Sequence, residues 1–257
     1  MGILILKLTL TPVLIGAASL ASRRWGAEVG GWLVGIPFTS GPIAFFLAVA
    51  PGVHFAADSS VGILAGAVSQ TAFALAYAWT ALRFNWTWCV AAATFAFAVA
   101  TLMLDLAPGD AAVTLVLAVL GLVIGMALMP RLAAKRSERV ELPWWDLPAR
   151  MLVATVFVLA LTSAAPALGS RLSGLLSPFP VYAAVLCVFA HRLQGVAAAI
   201  AVMRGLLLGL FGFAAFFALL AFLLEPTGIA VAFAIAIVAA LVVQGASLAA
   251  GRRLRMA

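Results

Sequence analysis

The sequence predicts an all-α, polytopic transmembrane helical bundle of about nine helices, built as two inverted repeats whose second helix is broken by Pro and Gly in each copy. Three observations carry that expectation. Of 257 residues, 66% are hydrophobic and 9% charged, with a mean hydropathy of +1.23; a soluble fold cannot leave so much apolar surface without a solvating polar face. The charges fall in short clusters between apolar runs of spanning length, which leaves no room for a sizeable soluble domain. Two of these runs carry the same kind of interruption, at 30–42 and at 174–182.

Taken in order, windows of about 20 apolar residues place crossings near 3–21, 29–50, 60–82, 86–106, 111–130, 149–168, 172–190, 196–224 and 228–250. The first run has small residues at 16–21, as a signal peptide does. Its Arg23 and Arg24 follow the apolar stretch instead of preceding it, so it is kept as a helix. Trp25, Trp32, Trp79, Trp86, Trp88, Trp144 and Trp145 lie near the run ends, where an interfacial aromatic belt belongs. Asp58, just before Ser59 and Ser60, reads as the N-cap of the third crossing. Ser69, Gln70 and Gln244 read as interhelical hydrogen-bonding groups, and Gly62/Gly66, Gly121/Gly125 and Gly205/Gly209 have the small-xxx-small spacing of close helix contacts. Cys89 and Cys187 sit inside apolar runs as small hydrophobic fillers, so neither a disulfide nor a metal site is expected.

Basic residues at Arg23-Arg24, Arg83, 131–139, Arg150, His191-Arg192 and 252–255 all fall on turns of one side, which the positive-inside rule places in the cytoplasm. The N-terminus is then outside and the C-terminus cytoplasmic. Topology therefore explains the net charge of +7, and no nucleic-acid partner is expected. Residues 1–107 form a first repeat of four helices and 148–257 a second; 108–147 supply a linking helix and a cytoplasmic loop, and the odd linker inverts the second copy. The polar stretch 131–148 reads as a linker. Its basic residues beside Trp144 and Trp145 also suit an interfacial segment resting on anionic lipid.

In the first interruption, Pro37 and Pro42 remove backbone donors while Gly35 and Gly41 permit unusual dihedrals, so two half-helices are expected with Phe38-Thr39-Ser40 between them. Aligning Pro37 with Pro178 sets Phe38 on Phe179 and brings the small-residue run around Gly66 opposite that around Gly205, which suggests an internal duplication. Irregular backbone at membrane depth needs protein or a watery cavity beside it. The candidate substrate contacts are therefore Pro37, Thr39, Ser40 and Gly41, where a half-helix N-terminus favours an anion, and Pro178, Pro180 and Tyr182 in the second copy. Arg204 is the basic residue well inside an apolar run; it either faces a cavity or snorkels to the interface.

No Asp or Glu lies deep in a crossing, and no acid, base, nucleophile or metal cluster converges, so neither an enzyme nor a cofactor is expected. The pattern points to a secondary transporter or facilitator of a small organic anion or zwitterion, working by alternating access. The alternatives are a non-transporting membrane subunit, whose breaks allow close packing on a partner, and a lipid translocase. Expected partners are the bilayer and a small-molecule substrate; a homodimer or a partner subunit is compatible.

The run Gly31-Trp32-Leu33-Val34-Gly35-Ile36-Pro37-Phe38-Thr39-Ser40-Gly41-Pro42, with Leu175-Leu176-Ser177-Pro178-Phe179-Pro180 in the second half, resembles the GlpM-like group of small bacterial inner-membrane proteins of unassigned function. Members of that group are about one repeat long. The chain resembles two such units fused, and the resemblance implies a bacterial inner-membrane location more than a mechanism.

Overall fold

The computed structural model describes residues 2–37, 40–49, 52–106, 110–132, 143–153, 155–156 and 178–256. Among these, all regular structure is helical. The elements are α1 (Gly2–Trp25), α2 (Ala27–Val34), α3 (Ser40–Val49), α4 (Val53–Thr80), α5 (Trp86–Leu106), α6 (Ala111–Leu128), α7 (described over 146–153), α8 (Val181–Gln194), α9 (Val196–Thr227) and α10 (Ile229–Met256). Five of the described helices, α4, α5, α6, α9 and α10, are long and apolar enough to cross a bilayer.

Glycines punctuate this run of helix formers. Gly26, Gly52, Gly195 and Gly228 hold φ of 99°, 117°, 89° and 78°, a region closed to most side chains, and each lies directly before a helix. Asp110 caps α6 by accepting from the Val113 N–H at 2.8 Å. Asp58 does not cap its helix, against the sequence expectation. Because Gly52 turns the chain, α4 starts at Val53, and Asp58 lies in its second turn, 3.7 Å from His54. Ser60 instead donates to the Ala56 carbonyl one turn back, so the polar trio is absorbed into the helix.

At the centre, α4 and α9 run antiparallel: His54 at the start of α4 meets Glu225 near the end of α9 at 2.5 Å. In their most apolar windows 61% and 67% of residues are buried, against 22% in each of α5, α6 and α10. That contrast separates a core pair from helices that turn apolar side chains outward. Phe95 and Met103 on α5, Val123 and Ile124 on α6, and Val238 and Val242 on α10 are all exposed, an outer surface that suits hydrocarbon and would not suit water. Around the pair, α9 touches α2, α6, α8 and α10, while α4 touches α3, α5 and α6.

The closest approach is between α2 and α9. Gly31 on α2 and Gly35 at its C-cap face the stretch of α9 that carries Gly205 and Gly209, and both pairs have GxxxG spacing. A Cβ built on Gly205 would collide with the Glu28 carbonyl, one on Gly31 with the Val202 carbonyl, and one on Gly35 would lie 2.5 Å from the Gly209 Cα. Backbone thus packs on backbone. Trp32 closes the seam from the side, donating Nε1–H to the Gln244 carbonyl at 3.0 Å while its own carbonyl accepts from Gln244 Nε2 at 2.8 Å. Trp32 therefore ties α2 to α10.

Gly205→Ala is expected to lower stability by about 1–3 kcal/mol, since the neighbouring backbone has to move. Gly62→Ala, on the same kind of apolar helix but with open space around it, is expected to be neutral or stabilising by roughly 0.5–1 kcal/mol. Thermal unfolding of both variants in detergent checks the contrast.

Candidate functional site

The first interruption is a helix end followed by a helix start. The Gly35 N–H bonds the Gly31 and Trp32 carbonyls at 3.3 and 3.2 Å, Ile36 N–H bonds Leu33 at 3.1 Å, and the chain leaves the helix at Pro37, which is half-buried. The Trp32 carbonyl, already bonded by Gly35, takes a second hydrogen bond from Gln244, so α10 braces the end of α2. α3 then begins at Ser40, with the Gly41 N–H donating to the Pro37 carbonyl at 2.8 Å. Pro42 falls in the first turn of α3, where its missing N–H has no intrahelical partner to lose; it opens that helix and does not interrupt it. Ser40 is buried, and a Cβ on Gly41 would sit 3.6 Å from the Phe216 ring of α9. Thr39 and Phe38 lie outside the described residues.

The second interruption is described from Pro178 onward. Pro178 is buried against Gly66 on α4, whose missing Cβ makes the space. Phe179 packs edge-on to Phe73 and Phe97, with ring centroids 5.8 and 5.2 Å apart, and so ties this segment to α4 and α5. Pro180 is buried at the N-cap of α8 and accepts from the Ala184 N–H at 2.8 Å; Tyr182 is half-buried in the first turn.

The two interruptions therefore rest on opposite members of the core pair, the first on α9 and the second on α4. Arg204 does not join them. It is half-buried and donates from Nη2 to the Pro130 carbonyl at 3.0 Å, just past the end of α6. Gly41 meets α9 at Phe216, 12 residues further along, which is about 18 Å of helix.

Two residues that the sequence assigns to the linker and to topology, Asp146 and Arg150, lie buried instead. Asp146, fully buried at the start of α7, accepts from Arg150 Nε at 2.9 Å and from Arg23 Nη2 of α1 at 2.6 Å. The Arg150 guanidinium lies 5.0 Å from the Phe189 ring of α8, and its Nη2 is buried with no hydrogen-bond partner. α7 thereby pins α1 to α8. The signal in the sequence is the i,i+4 pair Asp146/Arg150 directly after Pro143-Trp144-Trp145, where the Asp146 N–H closes a turn on the Pro143 carbonyl at 3.0 Å.

Other polar groups fall at two ends of the bundle. One end holds this cluster, Arg204 with Pro130, Trp79 Nε1 donating to the Leu128 carbonyl at 3.1 Å, and the Tyr77 hydroxyl 3.2 Å from His191 Nδ1. The other holds His54, Asp58 and Glu225. Between them, the Thr101 hydroxyl of α5 donates to Ser69 of α4 at 2.8 Å. Cys89 and Cys187 are buried free thiols beside the Phe84 and Ala199 carbonyls. No group of three or more His, Cys, Asp or Glu among the described residues is placed to hold a metal ion.

The chain matches no protein-family model, no curated protein and no solved structure.

Asp146→Ala leaves two guanidinium groups facing each other, one of them almost fully buried, and is expected to destabilise the protein by about 3–5 kcal/mol. Replacing Arg23, Asp146 and Arg150 together by apolar residues is expected to do less harm than the single change. Chemical or thermal unfolding of the two variants side by side measures the difference.

Proposed function

We propose that the protein is a membrane transporter or facilitator of a small organic anion or zwitterion, working by alternating access of two inverted repeats, 1–107 and 148–257, in a bacterial inner membrane. One observation supports this reading above the others. The neighbours of α4 and those of α9 correspond: α4 packs on α3 and α5, α9 packs on α8 and α10, the two pack on each other, and each half reaches across through α3 to α10 and α8 to α5. The interruptions precede α3 and α8, at corresponding places. In such an arrangement a site between the repeats is exposed to one side and then the other as the halves rock.

Pro37, Ser40, Gly41, Pro178, Pro180 and Tyr182 are the contacts assigned to substrate under this reading, with Thr39 beside them in sequence. Arg204 is assigned to the charged end of the bundle, where its positive charge still acts on an approaching anion. That end, which carries Arg23, Arg150, His191 and Arg204, is assigned to the cytoplasm.

A second reading is favoured by a specific contact. The glycine seam between α2 and α9, with Gln244 tying the end of α2 to α10, gives the first break a packing role inside the chain. A non-transporting membrane subunit needs no more than that.

Reconstitution in liposomes separates the two. Saturable uptake of one member of a panel of organic anions and zwitterions is expected, and Thr39→Val with Ser40→Ala is expected to reduce it roughly tenfold, the effect of one or two hydrogen bonds worth about 1.4 kcal/mol. No uptake of any anion, zwitterion or cation, together with a protein that co-purifies in fixed ratio, would sink the transporter reading in favour of the subunit.

A further inference from the structure

We infer that the corner between α1 and α7 is a binding site for the phosphate of an anionic phospholipid, a role independent of whether the protein transports anything. The first ground is charge. Arg23 and Arg150 bring two positive charges to the single negative charge of Asp146, so the triad carries one in excess. The excess is not dissipated inside the protein, because Arg150 is 98% buried and its Nη2 has no acceptor. Arg23 is the member that reaches the surface, with 32% of its side chain exposed, so the field of the triad emerges there. A low-dielectric wall behind a surface charge strengthens its pull on an anion.

The second ground is the unpartnered hydroxyl of Ser19, buried on α1. Gly16, Ser19 and Arg23 share one helix face, spaced by three and four residues. A Cβ built on Gly16 would lie 3.7 Å from the Met151 thioether and Arg23 meets Asp146, so Ser19 lies on α1 between those two contacts with α7. Two buried donors without acceptors thus stand along the same α1–α7 seam. Both are enclosed and do not touch a phosphate at the surface; their unpaired N–H and O–H dipoles add to the positive field behind Arg23.

The third ground decides the source of the oxyanion. A soluble anion needs only the charge, but this corner also has the other parts of a lipid site. The Arg24 guanidinium lies over the exposed Trp25 ring at 5.5 Å, and Trp144 and Trp145 stand exposed on the turn that Asp146 ties down. Below them the surface continues as exposed Leu20 on α1 and Leu152 and Val153 on α7. Headgroup charge, interfacial aromatics and an apolar track for acyl chains follow one another in the order they occupy in a bilayer.

The purified full-length protein is placed in phosphatidylcholine nanodiscs with and without phosphatidylglycerol, and unfolding is followed by temperature; a ligand that binds the folded state raises the midpoint. Phosphatidylglycerol is expected to raise it by several degrees in the wild type and in Arg83→Gln, a change at an exposed arginine outside the triad. Arg23→Gln is expected to lose the rise. Arg24→Gln, which leaves the ion pairs intact and keeps the test readable if Arg23→Gln fails to fold, is expected to show a smaller one. An equal rise in all four proteins would reduce the effect to unspecific surface charge and overturn the inference. The same rise from inorganic phosphate in phosphatidylcholine alone would assign the corner to a soluble anion, and no rise with either probe would leave the triad a structural latch; both results overturn the lipid site.

Discussion

The contact on which the rest depends is the bare-backbone seam between α2 and α9. Hydrocarbon offers helices no hydrophobic reason to associate, so they associate through close packing and hydrogen bonds between polar groups. Glycines on both helices let the chains approach until carbonyl faces Cα. Only at that distance does Trp32 reach the Gln244 backbone and Gln244 reach the Trp32 carbonyl. The seam thus places α10, and the reciprocal bonds tie it to the end of α2. The same logic operates where Gly66 on α4 receives Pro178. In both places a helix that stops inside the bundle is accommodated by a glycine on a helix that does not.

Polar chemistry has been moved to the ends. Arg204, Trp79, Tyr77 and the triad around Asp146 cluster where helices finish, and each bonds either a terminal carbonyl or another polar side chain. Terminal carbonyls lack intrahelical donors, so a guanidinium or an indole there satisfies both partners at once. The opposite end is held by His54 between Asp58 and Glu225, all exposed, a weaker tie across water. The bundle is accordingly pinned firmly at one end and lightly at the other.

The fold class was legible because a bilayer imposes it. Apolar length marks α5, α6, α9 and the start of α10 within a few residues, and Ser69 and Gln244 do make the interhelical bonds their polarity suggested. The early start of α4 was not legible, because Asp58-Ser59-Ser60 looks like a cap unless the dihedral of Gly52 is known. Gly31/Gly35 read as a break and Gly205/Gly209 as a weak packing motif; that the two motifs are partners depends on long-range geometry that no local pattern carries. Asp146 and Arg150 were missed for a different reason. Charge normally reports solvent, and only the tertiary arrangement of α1, α7 and α8 shows that these two are enclosed.

The core pair is also taller than α5 and α6 beside it. α9 has 32 residues and α4 has 28, whereas α5 has 21 and α6 has 18; at about 1.5 Å per residue the first two approach 48 and 42 Å and the others about 32 and 27 Å. A hydrocarbon core of about 30 Å fits α5 and α6 upright and obliges α4 and α9 to lean or protrude. How far the central pair leans or protrudes is therefore set in part by bilayer thickness, so the lipid composition of the host membrane becomes a mechanical input to the centre of the protein.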